Sequence, residues 1–204
     1  TSETGQMSNP APTKISIPSV LLPSDGRFGS GPSKIREAQI DALVAAGKHI
    51  MGTSHRQAPV KNLLGSVRDQ LSQLFSLPHD WEVVFGNGGA SMFWDAATFG
   101  LINNRSEHLV FGEFSSKFAD AARKAPHLQE PVVVDAPPGT IAEVDPADVD
   151  TYCFTHNETS TGATMPLVRP TTPQDALVVV DATSAAGGIA WSTKEVDVYY
   201  FSPQ

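Results

Sequence analysis

The sequence predicts an α/β fold in which parallel strands alternate with helices. From residue 81 onward, short runs rich in valine and aromatic residues alternate with longer helical stretches. Several strand-like runs lead directly into polar or Gly-rich turns, as happens at the ligand-binding edge of such sheets. We therefore expect a three-layer α/β/α domain with a site at the carboxyl ends of its strands.

Composition and charge narrow the class of protein. The 204 residues are 40% hydrophobic, which is enough to bury a core, and 14 basic against 22 acidic residues give a net charge of -8. This balance argues against a nucleic-acid surface or a polybasic membrane anchor. No apolar run reaches the roughly 18 residues of a transmembrane helix. The single cysteine, Cys153, fits a reducing cytoplasm and is expected to be buried in a strand rather than reactive.

The N-terminal region is expected to contain a leader followed by two helices. Residues 1–14 are polar and proline-bearing, and we expect a flexible leader or an expression remnant. Residues 15–204 are expected to form an N-terminal segment and the folded domain. Ser33 is expected to cap a helix over residues 34–46, with Gly47 at its C-terminus. Apolar residues at helical spacing over residues 60–75 predict a second helix with one buried face, ended by a proline.

The loop between these helices carries a candidate anion site. It reads G-T-S-H-R and contains His55 and Arg56. A guanidinium beside an imidazole suits a carboxylate or a phosphate dianion. An ordinary solvated pair is the commoner outcome of such a sequence, so the residues alone leave both interpretations open.

A second candidate anion site follows the strand predicted at residues 81–85. The sequence G-N-G-G-A-S then leads into a helix that runs to about Gly100. Glycines let backbone amides approach a phosphate, and the helix N-terminus favours negative charge. The spacing matches neither a dinucleotide fingerprint nor a P-loop. A tight turn without a ligand explains these residues equally well.

Polar groups also follow the next predicted strands. The strand at residues 108–111 precedes G-E-F-S, in which Phe114 is either a core residue or an aromatic that stacks on a planar ring. The strand at residues 152–155 precedes H-N-E-T-S-T-G, where many hydrogen-bonding groups lie close together. Further strands are predicted at residues 131–134, 177–180 and 196–201.

The strand at residues 177–180 delivers Asp181 at its carboxyl end. The next predicted strand leads to the tail S-P-Q, so the carboxylate and the tail should converge at one edge of the sheet.

Seven motifs, taken in order, resemble those of the phosphoserine aminotransferases, which are class V, fold-type I enzymes that use pyridoxal phosphate. They are F-G-S-G-P-S, G-T-S-H-R, G-N-G-G-A-S, G-E-F-S, H-N-E-T-S-T-G, V-V-D-A-T-S and Y-F-S-P-Q. The resemblance covers residues 15–204. It implies a mainly seven-stranded mixed sheet in a cofactor-binding large domain, with a small C-terminal domain beyond this chain. It also implies a cytoplasmic homodimer that acts in serine biosynthesis.

The resemblance implies a role for each candidate residue. Asp181 would be the catalytic carboxylate that pairs with the pyridine nitrogen of pyridoxal phosphate. The other cofactor contacts would come from Gly89, Ala90, Ser91, Phe114, Thr159 and Gln204. The anionic substrate groups would meet Ser30, His55 and Arg56. The lysine that forms the Schiff base in this family is expected immediately after Gln204, and no metal is expected.

The implied reaction is reversible amino transfer between glutamate and 3-phosphohydroxypyruvate, which gives O-phosphoserine and 2-oxoglutarate. An alanine:glyoxylate-type class V aminotransferase is an alternative, because it shares the T-S-T-G and V-D patterns. A non-catalytic fragment that lacks the lysine is another. The S-H-R sequence that contains His55 and Arg56 favours the first reading, since a small uncharged substrate would not require it. Lys194, in a polar turn, is expected to be solvated rather than catalytic.

Overall fold

The structure is a computed structural model that describes residues 15–23, 25, 27, 34–145, 147–171, 173 and 175–203. The chain divides into two compact units, Thr1–Ile35 and Arg36–Gln204. In the first unit the described residues include one short 3-10 helix, Ser19–Leu21. The expected leader and the candidate residues Ser30 and Gln204 lie outside the described residues.

The second unit begins with helix α1, whose predicted ends differ from the observed ones. The helix covers Glu37–Ile50 and its N-cap is Arg36, not Ser33, which lies outside the described residues. Gly47 lies inside the helix instead of ending it, since one glycine costs a helix only about 1 kcal/mol relative to alanine. The chain leaves the helix through Gly52, whose φ of 79° is a left-handed conformation that glycine adopts readily.

Helix α2 forms where the apolar spacing predicts it, but its apolar face is not buried. The helix covers Ala58–Leu74, and none of its residues is buried. Leu63, Leu64 and Val67 are all partly exposed. The expectation of a buried face is therefore wrong within the described chain. Helical spacing decides which face is apolar, whereas burial requires another surface that packs against it.

The described residues of the second unit also form two further helices and seven strands. The helices are α3, Ala90–Gly100, and α4, Glu113–Lys124. The strands are β1 (Ser106–Val110), β2 (Val132–Asp135), β3 (Thr151–Thr155), β4 (Asn157–Glu158), β5 (Ala163–Thr164), β6 (Leu177–Asp181) and β7 (Val198–Tyr200). Apart from residues 81–85, each predicted strand is confirmed to within a few residues.

The central sheet contains five parallel strands in the order β2-β1-β3-β6-β7, and β4 and β5 form a separate antiparallel pair. The resemblance implies a mainly seven-stranded mixed sheet, and the described residues supply five strands, all of them parallel. Because all five run in the same direction, their carboxyl ends meet at one edge.

The strand predicted at residues 81–85 is wrong for the described chain, because these residues make no strand pairing there. Val84 is 75% exposed, whereas Trp81 packs against Trp191 with ring centroids 5.5 Å apart. Valine and phenylalanine favour a strand, but the strand forms only where a neighbour accepts its backbone hydrogen bonds.

The two faces of the sheet are covered differently. Helices α3 and α4 pack on one face, where Cys153 and Val179 join the core. Their neighbours Tyr152 and Val180 point to the opposite face, because side chains alternate along a strand. On that face the core is completed by loop residues such as Met165. The buried position predicted for Cys153 is confirmed. None of the helices among the described residues combines the length and hydropathy that a bilayer crossing requires.

Candidate functional site

The strand order places a crevice between β1 and β3. The chain leaves β1 through α4 to β2 on one side, and later returns to β3 on the other side. Ligands of open α/β sheets bind outside the carboxyl ends of the strands at such a reversal. Phe114 lies in the first turn of α4, just after β1, and Thr159 follows β3 and β4. The topology therefore brings these two predicted residues to the same edge.

Asp181 ends β6 at this edge and is held by two hydrogen bonds. Its side chain is almost buried, with 5% exposure for the residue. The backbone N–H of Thr183 donates to Oδ1 at 2.9 Å, and the Tyr200 hydroxyl donates to Oδ2 at 3.1 Å. The carboxylate therefore has a fixed orientation and retains lone pairs for a further donor.

Tyr200 is itself oriented by α3. The indole N–H of Trp94 donates to the Tyr200 oxygen at 2.8 Å, so the single hydroxyl proton of Tyr200 is directed to Asp181. The ring of Phe93 stacks on Tyr200 with centroids 3.9 Å apart. Burial and, next, the Asp181 charge raise the pKa of Tyr200 well above its ordinary value. Tyr200 is consequently a neutral donor at physiological pH.

The N-terminus of α4 is occupied by a carboxylate from the turn after β3. Glu158 is fully buried, and its two oxygens accept from Phe114 N (3.3 Å), Ser115 N (2.9 Å), Ser115 Oγ (2.8 Å), Ser160 N (3.3 Å) and Ser160 Oγ (2.8 Å). Burial alone would raise the pKa of Glu158, but these hydrogen bonds outweigh it and lower the pKa. Glu158 is therefore an ionised group that fills this helix end.

The N-terminus of α3 lies at the same edge, and its N-cap residue makes no side-chain capping bond. Among the described residues, no side-chain acceptor is recorded for the amides of Ala90 and Ser91, in contrast to the first amides of α4. Its N-cap is Gly89, and the preceding Gly88 has a φ of 89°, a conformation that favours glycine. A Cβ on Gly89 would lie 3.9 Å from Ser202 Oγ, so the turn approaches the chain that follows β7. The first amides of a helix have no partner within it, and together with the helix dipole they favour an anion.

A second layer of polar residues supports the turn after β3. Nδ1 of His156 lies 3.2 Å from the Tyr199 hydroxyl, and burial lowers the pKa of His156. Burial also raises the pKa of Tyr199 to about 12, so both groups are neutral near pH 7. Asn157 Nδ2 donates to Ser184 Oγ at 2.8 Å, which joins this turn to the loop after β6.

Several of these residues were not among the predicted site residues. Glu158 and His156 lie in H-N-E-T-S-T-G, whose density of polar groups was a usable signal. Nothing in the local sequence distinguishes Tyr200 and Trp94 from ordinary core aromatics, because their hydrogen bond joins residues 106 positions apart.

The predicted anion residues His55 and Arg56 lie apart in the chain from these elements, in the exposed loop between α1 and α2. The backbone N–H of Arg56 donates to Ser54 Oγ at 3.3 Å. The structure records no hydrogen bond from either side chain to the sheet edge within the described chain. Across the described ranges, no three His, Cys, Asp or Glu side chains group together as a metal site would require.

Comparison with known proteins gives relatives that cover nearly the whole chain. No family model matches. A phosphoserine aminotransferase of a Nocardioides species is 58% identical over 193 residues, which are 93% of this chain and 52% of the relative. A putative phosphoserine aminotransferase of Mycobacterium leprae is 54% identical over 192 residues, 93% of this chain and 51% of the relative. Over nearly its whole length the chain is therefore similar to phosphoserine aminotransferases. It spans about half the length of these curated relatives.

Solved structures of aminotransferases share the fold of this chain. A phosphoserine aminotransferase from Cytophaga hutchinsonii has a TM-score of 0.71 at 27% identity and covers 81% of this chain and 47% of that one. An alanine–glyoxylate aminotransferase from a Nostoc species has a TM-score of 0.65 at 20% identity, with coverage of 92% and 51%. The predicted α/β fold class is thus confirmed. The second similarity shows the fold alone, whereas the sequence relatives favour phosphoserine aminotransferase over the alternative.

Proposed function

We propose that the intact protein is a phosphoserine aminotransferase, which transfers an amino group reversibly between glutamate and 3-phosphohydroxypyruvate with pyridoxal phosphate as cofactor. The observation that carries the proposal is the pairing, at one sheet edge, of the oriented Asp181 carboxylate with the uncapped N-terminus of α3. The 58% identity to a named relative supports it. Cytoplasmic location, a homodimer and a role in serine biosynthesis belong to the same proposal.

The residues at the sheet edge fit pyridoxal phosphate. Its ring nitrogen requires an anionic partner when protonated, its ring requires a flat apolar contact, and its phosphate requires amide or cationic donors. Asp181 supplies the anionic partner for the ring nitrogen, and the partly exposed ring of Phe114 supplies the flat apolar contact. The N-terminus of α3 supplies the amide donors for the phosphate. Phe114 is 39% exposed, which contradicts its interpretation as a core residue and supports the stacking role.

Asp181 acts on the ring nitrogen. When bound, pyridoxal phosphate supplies the electron sink for the negative charge left on the substrate carbon after loss of its proton. The ionised carboxylate of Asp181 holds the proton on the ring nitrogen, because an adjacent negative charge favours the protonated form. The donors from Thr183 and Tyr200 prevent the carboxylate from rotating away from that nitrogen.

The phosphate is bound by Gly89, Ala90 and Ser91 at the N-terminus of α3. Of the two helix N-termini described at this edge, that of α4 is filled by Glu158, whose negative charge would repel a phosphate. The α3 end has the opposite character, since its amides meet no capping side chain in the described chain. Electrostatics therefore supports α3 as the site of the phosphate in this proposal.

The other candidate residues would contact either the cofactor or the substrates. Thr159 would hydrogen-bond the cofactor from the turn after β3. A cofactor contact from Gln204, which lies outside the described residues, belongs to the same proposal. His55 and Arg56, with Ser30, bind the acidic groups of the substrates, for which an exposed guanidinium fork is suited. Phosphoserine and glutamate both carry such groups.

The test is a comparison of amino donors with the intact protein in the presence of pyridoxal phosphate. We expect transamination of O-phosphoserine with 2-oxoglutarate, and turnover of alanine with glyoxylate at least about a hundredfold slower in kcat/KM, as unpaired binding groups reject a wrong substrate. Product formation is followed by chromatography of the amino acids. Faster turnover of alanine with glyoxylate would support the alternative aminotransferase, and no transamination with any donor would contradict the enzymatic proposal.

A further inference from the structure

The turn that carries Thr159 is attached on both sides to the first turn of α4. Thr159 lies between Glu158, whose carboxylate accepts from the amides of Phe114 and Ser115, and Ser160, whose hydroxyl accepts from the amide of Glu113 at 2.9 Å. The three first amides of α4 therefore all bond to one turn that is more than 40 residues away in sequence. Phe114 belongs to the same first turn. The separation of Phe114 and Thr159 is thus set by these bonds.

Gly112 makes this close approach possible. A Cβ on Gly112 would lie 2.3 Å from Glu158 Cγ and 2.5 Å from Ser160 Oγ, both far inside van der Waals contact. The φ of Gly112 is 174°, an extended conformation that any residue adopts, so only the lack of a side chain is required here. Glycine at this position allows the turn to pack directly on the helix end.

The charge of Glu158 strengthens the attachment. Hydrogen bonds to an ionised group are roughly twice as strong as those between neutral groups, and a negative charge is favourable at a helix N-terminus. The lowered pKa keeps Glu158 ionised at neutral pH. Every acceptor contact recorded for its carboxylate is to the residues of α4 and to Ser160, which are protein groups.

We propose that Glu158 is a positioning residue that holds Phe114 and Thr159 at a fixed distance from each other, so that both would be placed for contact with the cofactor. This rests on the proposed function, because it assigns both residues to pyridoxal phosphate. Glu158 acts through the backbone of α4 and the turn, and it does not itself touch the cofactor.

The experiment compares Glu158→Gln with Glu113→Gln in the intact protein. Glu113 is a matched control, since it lies in the same helix turn but its side chain is exposed and pairs with Lys117. Binding of pyridoxal phosphate is titrated by the visible circular dichroism that the bound ring acquires, at a temperature at which all variants are folded. We expect Glu158→Gln to weaken binding about tenfold and to change the visible band, as expected when bonds to a charged group are weakened. Glu113→Gln should resemble the wild type.

The outcomes separate this proposal from the proposed function. If the wild type acquires no visible band with pyridoxal phosphate, the cofactor assignment fails. If the wild type binds normally and Glu158→Gln matches Glu113→Gln in affinity and spectrum, with only its melting temperature lowered, Glu158 is merely structural and the proposal is overturned.

A second variant covers the case in which Glu158→Gln does not fold. Ser160→Ala removes the bond to the Glu113 amide and one donor to Glu158, but leaves the buried carboxylate in place. We expect a change of the visible band in the same direction, with binding only about threefold weaker, because the four other hydrogen bonds to the Glu158 carboxylate remain. A wild-type spectrum and affinity in this variant would contradict the proposal.

Discussion

The N-termini of α3 and α4 lie at the same edge of the same sheet, yet they differ in what completes them. The α4 end meets the Glu158 carboxylate and the Ser160 hydroxyl, so its amides are satisfied by the protein. The α3 end begins at Gly89 with no capping side chain among the described residues. A helix end that the protein closes has a structural role, whereas an open one beside a polar crevice is suited to an anionic ligand.

The largest expected effect concerns Asp181, which lies at the carboxyl end of β6 on this edge of the sheet. Among the described residues, Glu158 has five donors and Asp181 has two, so Asp181 keeps room for a donor from a ligand. We expect Asp181→Asn to lower kcat about a hundredfold to a thousandfold, comparable to the loss of one preorganised electrostatic group. Steady-state kinetics with O-phosphoserine is the measurement.

The control for this prediction is Asp175→Asn, an exposed aspartate just before β6 at the other end of the strand. It should keep wild-type kinetics. Near-normal turnover of Asp181→Asn would show that Asp181 is not part of the cofactor site, and the proposed pairing of Asp181 with the α3 N-terminus would fail.

A carboxylate placed at the N-terminus of α3 tests directly whether this helix end binds the phosphate. Gly89 has a φ of -95°, and a Cβ there meets only Ser202 Oγ at 3.9 Å, so an aspartate fits without strain. Gly89→Asp places a negative charge at the proposed phosphate position. At about 5 Å and an effective dielectric constant near 20, the repulsion is about 3 kcal/mol, or roughly a hundredfold in affinity.

The phosphate-free analogue pyridoxal tests whether that loss comes from the phosphate. We expect Gly89→Asp to bind pyridoxal phosphate about a hundredfold more weakly while its affinity for pyridoxal changes little, as measured by equilibrium titration. Gly89→Ala, which adds the Cβ alone, should resemble the wild type. Equal weakening of both ligands in Gly89→Asp would place the phosphate elsewhere.

The third prediction concerns a buried glutamate that has no helix end to meet. Glu107 in β1 is as fully buried as Glu158, but Oε1 accepts only from the Asp145 amide at 3.2 Å, and Oε2 has no hydrogen-bond partner in the described part of the chain. Burial, and to a smaller extent the Asp145 charge, raise the pKa of Glu107 to about 7 against the single amide bond. Glu158 and Glu107 thus show that donors, not burial, decide the charge of a carboxyl group.

The raised pKa of Glu107 makes the folded protein less stable as pH rises. Between about pH 4.5 and pH 7 the unfolded chain has lost the Glu107 proton and the folded chain keeps it, so the free energy of unfolding falls as pH rises. Glu107→Gln cannot ionise, so it should remove this pH-dependent fall in the free energy of unfolding. We expect the variant to gain about 1–3 kcal/mol over the wild type at pH 8, the range for a buried unsatisfied group, and almost nothing at pH 4.

Chemical denaturation across this pH range checks the prediction, with Glu143→Gln as the control because Glu143 is exposed on the loop near Asp145. His108, next in the strand, has a pKa lowered to about 3 by burial and, to a smaller extent, by the charge of Arg123. Its contribution to the free energy of unfolding is therefore lost as pH falls below 6.5, where the unfolded chain takes up a proton that the folded chain does not. A stability difference between Glu107→Gln and the wild type that does not depend on pH would contradict the assignment.

The smallest expected effect comes from the hydroxyl that orients Asp181. Tyr200→Phe removes one of its two donors and leaves the Trp94 indole N–H without its acceptor. We expect kcat/KM to fall up to about tenfold, since one hydrogen bond to a charged group is lost. The pH dependence of the visible absorbance of the bound cofactor should also shift, because Asp181 controls the ring proton.

Tyr199→Phe is the matched control. Tyr199 is the neighbouring residue on the opposite face of β7, and its ring would keep its stack on Trp191. It should change the visible absorbance less than Tyr200→Phe does. If both variants behave alike, the effect of Tyr200→Phe is general loosening of β7 and not a change at Asp181.

Much of the architecture could be predicted because it depends on local pattern. The apolar run that becomes β6 and the aspartate at its end predicted a strand that delivers a carboxylate to the ligand edge, and the structure has both. The glycine-rich turn before α3 could also be predicted from the local sequence. The end of α1 was not, because whether Gly47 or Gly52 ends a helix depends on small differences in free energy that no short motif encodes.

The sequence by itself determined the fold class, the order of the strands along the chain and the apolar face of each helix, because periodicity and local motifs are carried by neighbouring residues. Tertiary structure alone decided that Glu158 closes α4 and that Tyr200 and Trp94 orient Asp181. It also decided that, within the described chain, Glu107 Oε2 has no hydrogen-bond partner and residues 81–85 make no strand pairing. Each of these depends on which distant donor or acceptor reaches a group. Contacts between residues far apart in the chain are made only when the sheet brings its strand ends together.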